Sequence, residues 1–283
     1  MLVVTTAIGC VLFSSSTDLY AATVYTSAYA QADEGIFASN YASDNADFGS
    51  ATAQVQLSPG IIKASVTASA DQGRTGAEVI ADYRETFRII VSPSTGEVVS
   101  LGSGYFDMHM NLSGNSLGLV GSGDPNAWGY VDGDFGLNID SGSVSISRSE
   151  DLSANMNNGA SVRGPGSDSK DFNVRISILE LPWSQSQDVR LHLSLHLFAS
   201  AGNDVSEAHA SGDFGNTITW GGITQIYDEN RSPIDMGAYE ITALGSDGFD
   251  YAKAAVVPLP AAGWLFGTAL AVLSVTGGRR LRR

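Results

Sequence analysis

The seven residues LHLSLHL, at positions 191–197, decide the fold class of this 283-residue chain. They alternate strictly, so an extended backbone puts four leucines on one face and His192, Ser194 and His196 on the other. A period of two is typical of an antiparallel strand with one buried face and one solvent-facing side. The stretch therefore predicts a half-buried strand in an antiparallel sheet.

Similar alternation recurs along most of the chain. The other stretches with this pattern are 54–57, 61–70, 87–91, 106–112, 135–139, 144–146, 174–179, 217–226 and 239–244. Gly, Asn, Asp, Ser and Pro separate them, as turns require. We predict an all-β protein, an antiparallel β-sandwich of jelly-roll type with about ten to thirteen short strands. We expect one domain over residues 23–255, with 151–171 as a long surface loop; a linker between two smaller sandwiches is the alternative.

The start of the chain is predicted to be a targeting segment. Residues 1–22 hold an apolar run followed by small residues, the pattern of a secretory signal peptide that signal peptidase removes after Ala21 or Ala22. The first basic residue is Lys63, so the usual positive start of such leaders is missing and we expect the true start upstream. The only cysteine, Cys10, lies in this leader, where lipid attachment is the alternative. An exported body without cysteine depends on core burial or bound ions for its stability.

The other end of the chain, residues 256–283, combines three blocks in a fixed order. The first block is the motif VPLPA, formed by Val257, Pro258, Leu259, Pro260 and Ala261. The last block is a basic cluster formed by Arg279, Arg280, Arg282 and Arg283. The apolar run between them would be about 24 Å long as a helix, at the short end of what crosses a membrane. Prolines keep the motif extended, and the arginines hold the terminus on the cytoplasmic side. The tail thus predicts one transmembrane helix, with the body facing outward.

This tail resembles a class of bacterial sorting signals. VPLPA, an apolar helix opening with Gly-Trp-Leu-Phe-Gly, and a terminal arginine cluster are similar to the VPLPA-CTERM variant of the PEP-CTERM signals of Gram-negative bacteria. The resemblance implies that an exosortase, a cysteine protease or transpeptidase of the inner membrane, cuts near the proline motif. It also implies export, transient anchoring in the inner membrane, and release to the cell surface or to the extracellular polysaccharide matrix of a biofilm. A plain C-terminal membrane anchor is the alternative.

Charge limits the partners that the chain can bind. The sequence has 30 acidic and 15 basic residues and a net charge of −15, and four of the basic residues are the arginines of the tail. Because phosphate contacts need a basic face, this composition argues against nucleic-acid binding. An acidic surface suits a soluble extracellular protein that tolerates cations.

Two short motifs suggest enzymes, but their context does not support either. Residues 114–118 (GNSLG) match a nucleophile elbow with Ser116 as the nucleophile, yet no helix is predicted after it to complete an oxyanion hole. We interpret the match as chance in a Gly/Ser-rich turn. Asp-Phe-Gly occurs at 47–49, 134–136 and 213–215 without the other kinase motifs, and we interpret these as turn-to-strand boundaries. The body is predicted not to be an enzyme; a secreted hydrolase is an alternative.

Histidine and aspartate residues are the candidate metal ligands of this sequence. On a strand His192 and His196 are about 13 Å apart, too far to share one zinc ion, so we interpret them as solvated strand-face residues. Asp132 and Asp134 offer the hard oxygen ligands that calcium prefers. Similar pairs are Asp124 with Asn126 and Asp168 with Asp171. None matches a standard calcium loop. Calcium is therefore the candidate cofactor, with ordinary solvated turns as the alternative.

Three tryptophans are candidates for a carbohydrate-binding surface. Trp128, Trp183 and Trp220 would form a sugar-stacking platform if all three were exposed on one face, although tryptophan is also common in cores. The body is therefore predicted to be a structural or interaction module. A module that binds carbohydrate, such as an exopolysaccharide, is the first alternative, and it requires clustered exposed aromatic residues.

Overall fold

The structure is a computed structural model that describes residues 23–33, 38–46, 49–71, 73–95, 101–120, 126–157, 166–203, 207–246 and 248–255. Within these ranges the regular elements are all β-strands, and none is a helix. They are β1 (Thr23–Asp33), β2 (Ala38–Ala46), β3 (Gly49–Ser58), β4 (Ile61–Ala70), β5 (Gly73–Pro93), β6 (Ser103–Val120), β7 (Trp128–Asp140), β8 (Ser145–Asp151), β9 (Ala154–Asn157), β10 (Gly166–Ser184), β11 (Val189–Asn203), β12 (Ala208–Tyr227) and β13 (Tyr239–Gly245). The predicted all-β class is confirmed.

The strands form two sheets. Sheet A has the order β1-β5-β11-β7-β8, with β13 also paired to β5 and β9 also paired to β7. Sheet B has the order β10-β6-β12-β4-β3-β2. The pairs are antiparallel except that β1 runs parallel to β5. Strand β5 is long enough for β1 and β13 to pair, one after the other, along the edge that β11 leaves open.

The antiparallel pairs are nested. Strand β4 pairs with β12, β5 with β11, β6 with β10, and β7 with β8 and β9. Strands β4, β5, β6 and β7 alternate between the two sheets, and β10, β11, β12 and β13 do the same. The second half of the body therefore pairs with the first half in reverse order.

The two sheets face each other across one hydrophobic core. The four leucines of β11, from Leu191 to Leu197, are buried, while His192 and His196 between them are partly exposed on the opposite face. The predicted alternation of this strand is thus confirmed. The largest apolar side chains in the core are Phe87, Phe106, Phe135, Phe214, Trp220, Tyr83 and Tyr251. Complete burial of a large apolar side chain contributes about 1.5–3 kcal/mol, so this layer supplies most of the driving force for folding.

The predicted strand segments lie in strands, except that Val144 of segment 144–146 precedes β8, and several strands are longer than predicted. Strand β5 has 21 residues, β12 has 20, β10 has 19 and β6 has 18. The prediction ended strands at glycines and aspartates, whereas the inward positions stay buried across them. Residues 114–118, for example, lie inside β6, where Ser116 is fully buried, so the interpretation of this stretch as a turn is wrong.

Two further expectations are corrected. The Asp-Phe-Gly stretches at 134–136 and 213–215 lie within β7 and β12, not at turn-to-strand boundaries, because Phe135 and Phe214 are inward-facing core residues. Residues 151–171 are not one continuous loop, because they contain β9 and the first residues of β10. The first of the three Asp-Phe-Gly stretches begins at residues 47 and 48, which lie outside the described residues.

The last described segment, residues 248–255, closes one end of the core. Tyr251 is completely buried and its ring stacks on Phe87, with centroids 5.0 Å apart and planes at 8°. Trp220 Nε1 donates a hydrogen bond of 2.8 Å to the Tyr251 carbonyl, and the Ala255 amide donates one of 2.8 Å to the Trp220 carbonyl. The chain is therefore held against the body as far as Ala255.

The predicted signal peptide at 1–22 and the predicted tail at 256–283 lie outside the described residues. No helix that is long and apolar enough to cross a membrane occurs among the residues that the structure describes.

Candidate functional site

The outer face of sheet A, which points away from the core, carries basic, acidic and aromatic side chains. Its central strand is β11, whose outward residues include Arg190, His192, Ser194, His196 and Phe198. The register gives each of them one neighbour on β5 and one on β7. From Arg190 to Gly202 the face is roughly 40 Å long at about 3.3 Å per residue. It can therefore accommodate an extended ligand.

Three partly exposed aromatic side chains lie together at one end of this face, and we call them the aromatic row: Trp128, Tyr130 and Phe198. The ring centroids of Trp128 and Tyr130 are 5.4 Å apart with planes at 28°, and those of Tyr130 and Phe198 are 5.8 Å apart. Gly202 lies directly opposite Trp128, and a Cβ atom there would come within 2.6 Å of the indole ring. The absence of a side chain at Gly202 thus lets the indole lie across the neighbouring strand.

Next to the aromatic row, the two histidines of β11 each lie beside a carboxylate of β5. His196 Nε2 is 2.9 Å from Glu78 Oε1, and His192 Nε2 is 3.3 Å from Asp82 Oδ1. Arg84 also contacts Asp82, at 3.0 Å. The interpretation of both histidines as strand-face residues is confirmed, with side chains about two-fifths exposed, at 40% and 41%.

Carboxylates flank the same face on the side of β7. Asp132 and Asp134 are exposed, and Asp134 lies opposite Asp151 of β8. Ser153 Oγ is 2.6 Å from Asp151 Oδ1 and 3.1 Å from Asp132 Oδ1. The side-chain and backbone hydrogen bonds from Ser153 lower the pKa of Asp151, so this carboxyl group is ionised at neutral pH. Within the described ranges, no group of three or more His, Cys, Asp or Glu side chains is arranged to hold a metal ion.

The predicted tryptophan platform is wrong in its membership. Trp220 is completely buried and Trp183 is 3% exposed, so neither can stack on a ligand at the surface. Both are inward-facing residues of long strands, and Trp220 packs edge-on against Phe87 and Tyr251. Only Trp128 lies on an outer face, where its neighbours are Tyr130 and Phe198.

Ser116 is placed as a structural residue. Its side chain is completely buried, and its Oγ donates a hydrogen bond of 2.7 Å to the Leu152 carbonyl. It lies in the middle of β6, whereas a nucleophile elbow requires a sharp strand-to-helix turn. The hydroxyl therefore connects β6 to the segment between β8 and β9.

No family model, curated protein or solved structure matches this chain. Two features of the described residues bear on function: the outer face of sheet A, and the packed segment 248–255, which lies one residue before the predicted sorting motif. The predicted sorting motif and the arginine cluster lie outside the described residues.

Proposed function

We propose that this chain is an exported protein that is anchored by its C-terminal tail, cut by an exosortase and released to the cell surface or extracellular matrix. The observation that supports this proposal is how close the packed core lies, along the chain, to the predicted motif. Residues 248–255 are hydrogen-bonded into the core, and only Val256 separates Ala255 from the start of the VPLPA motif. Cleavage at the motif would leave the core of the body complete.

The proposal also concerns the kind of body that is exported. We infer a jelly-roll β-sandwich that serves as a structural or interaction module and has no catalytic activity. The nested pairing of β4 with β12, β5 with β11, β6 with β10 and β7 with β8 supports this class, since a jelly roll is a long antiparallel hairpin wound into two sheets. The burial of Ser116 supports a non-enzymatic role.

The sorting proposal is tested by replacing Pro258 and Pro260 with alanine in the native host. The double variant should remain uncleaved in the membrane fraction, because the motif loses the two residues that keep it extended. Pro233→Ala is the matched control, since Pro233 is an exposed proline of the body. Release of the double variant at the wild-type rate and mass would contradict the proposal.

A second candidate function, carbohydrate binding, is favoured by the aromatic row. Partly exposed aromatic rings that group on one outer face are typical of a surface that contacts a ligand or partner. The C–H groups on the face of a sugar ring carry partial positive charge and suit the negative face of an aromatic ring. Trp128→Ala should therefore weaken adsorption of the protein to a matrix polysaccharide. Unchanged adsorption would remove this function from the outer face of sheet A.

A further inference from the structure

Carboxylates flank the Phe198 end of the aromatic row on both sides. In the register of sheet A, Phe198 lies between Glu78 on β5 and Asp132 on β7. The next outward position, His196, lies beside Asp134. The Phe198 ring thus lies between two carboxylates, with a third beside the next outward residue.

The negative charge persists beyond these immediate neighbours. Asp134 faces Asp151, whose pKa is lowered by the hydrogen bonds from Ser153. At the other end of the row, Arg74 is the exposed cation and lies across Gly202 from Trp128. Among the side chains that the structure describes here, the carboxylates Glu78, Asp132, Asp134 and Asp151 outnumber the cations Arg74 and Lys170. They lie on the side of Phe198 and His196, where Glu78 is 2.9 Å from His196 Nε2.

We propose that the outer face of sheet A binds a polysaccharide that carries free amino groups. Its sugar rings stack on the aromatic row, and its ammonium groups lie beside Glu78, Asp132 and Asp134. This inference rests on the proposed carbohydrate-binding function and adds the charge of the ligand. The ligand must bring a flat apolar face and a positive charge together, and an amino sugar has both.

Charge complementarity separates this ligand from other polysaccharides. A uronic-acid polymer would place carboxylates against those of the protein, and like charges in an interface reduce affinity. A neutral or fully N-acetylated polymer would stack on the rings but gain nothing from the carboxylates. An ammonium group near an aromatic face gains a further cation–π attraction. The structure therefore predicts the order amino sugar, then neutral sugar, then acidic sugar.

The test compares oligosaccharides of equal length with the full chain, kept in a polyoxyethylene detergent that contains no sugar. Calorimetry should show that a glucosamine hexamer binds at least about fivefold more tightly than an N-acetylglucosamine hexamer, and that a uronate hexamer binds weakest. Raising the salt concentration from about 50 to 500 mM should lower the affinity for the glucosamine hexamer and leave that for the N-acetylglucosamine hexamer unchanged, because salt screens exposed charges.

Two sets of variants assign the effect to residues. Trp128→Ala should lower the affinity for both hexosamine oligomers about tenfold, as truncation of a central tryptophan does in an interface. The exposed Tyr41, on sheet B, gives the matched control Tyr41→Ala. The pair Asp132→Asn and Asp134→Asn should remove the preference for the amino sugar while keeping the stacking. Asp171→Asn with Asp213→Asn changes the net charge equally from exposed positions on sheet B.

The outcomes separate the inference from the function on which it rests. If the acetylated or acidic oligomer binds as tightly as glucosamine and Trp128→Ala still weakens it, carbohydrate binding stands and the amino-sugar inference is overturned. If no oligomer binds, or Trp128→Ala changes nothing in a variant of wild-type melting temperature, both are overturned. If a lysine hexapeptide binds as tightly as the glucosamine hexamer, and Trp128→Ala does not change its affinity, the inference is overturned in favour of a basic protein partner.

Discussion

Replacing Tyr251 with alanine should strongly destabilise the body, because this residue packs the last described segment, residues 248–255, against the core. The ring is completely buried, stacks on Phe87, and meets Phe249 and Trp220 edge-on, with centroids 4.7 and 5.5 Å away. Truncation of a buried aromatic residue to alanine costs about 3–5 kcal/mol. Against a total stability of about 5–15 kcal/mol, the loss is a large fraction of what holds the body together.

Urea unfolding of the Tyr251→Ala variant, followed by tryptophan fluorescence, measures this loss, because Trp220 lies beside the altered site. The melting temperature should fall by roughly 10 °C, at about 2–4 °C per kcal/mol for a body of this size. Tyr41→Ala is the control: that side chain is 60% exposed, so its removal should change the stability by less than about 0.5 kcal/mol. A loss below about 1 kcal/mol for Tyr251→Ala would refute the reasoning, since residues 248–255 would then not belong to the core.

Three other predictions test separate parts of the structure. Gly222→Ala should lower the unfolding free energy by at least about 2 kcal/mol, because φ is +85° and a Cβ atom would lie 2.8 Å from the backbone of the last segment. Gly248→Ala is the control, because Gly248 has φ +79° but open space around it, so this variant measures the cost of the backbone angle alone. Equal losses of unfolding free energy in the two variants would contradict the close contact at Gly222. Burial alone would raise the pKa of Asp250, but hydrogen bonds from a lysine and two backbone N–H groups hold it below its ordinary value. This stabilisation is present above the unfolded-state pKa and is lost as the pH falls below about 4. The unfolding free energy of the Asp250→Asn variant, measured by urea titration, should therefore fall less than that of the wild type over this pH range. If calcium binds at Asp132 and Asp134, chelator should lower the melting temperature of the wild type but not of the double Asn variant; a flat wild-type response would remove calcium from the account.

The strands were predictable because their signal is local. Alternation such as LHLSLHL appears directly in the sequence, and every predicted strand segment overlaps a strand. Strand length was not predictable, because a glycine or aspartate ends a strand only where the partner strand also ends. Ser116 shows this: inside β6 it is buried and bonded to the Leu152 carbonyl, a partner 36 residues away.

The candidate site was only partly predictable. Trp128 was identified by residue type, but residue type also selected Trp183 and Trp220, which the fold buries. Phe198 continues the outward series from His192 through His196, so the alternation contained the signal that it shares their face. Its contact with Tyr130 was not predictable, because it depends on the pairing of β11 with β7.

The parallel strand β1 was not predicted for a similar reason. Strand β1 pairs with the first half of β5, next to the part of β5 that pairs with β13. This free edge of β5 exists only after the sheet has formed. Local patterning predicts that a strand is present, but it does not predict its direction. The nested order of the other pairs likewise depends on contacts between distant parts of the chain.

The most direct test of the central claim is the intact mass of this protein from the extracellular and membrane fractions of its native host. The account predicts an extracellular species that lacks the leader and ends within or just after the motif from Val257 to Ala261, together with a longer membrane-bound precursor. A protein found only in the membrane with Arg283 still at its C-terminus would contradict sorting by an exosortase.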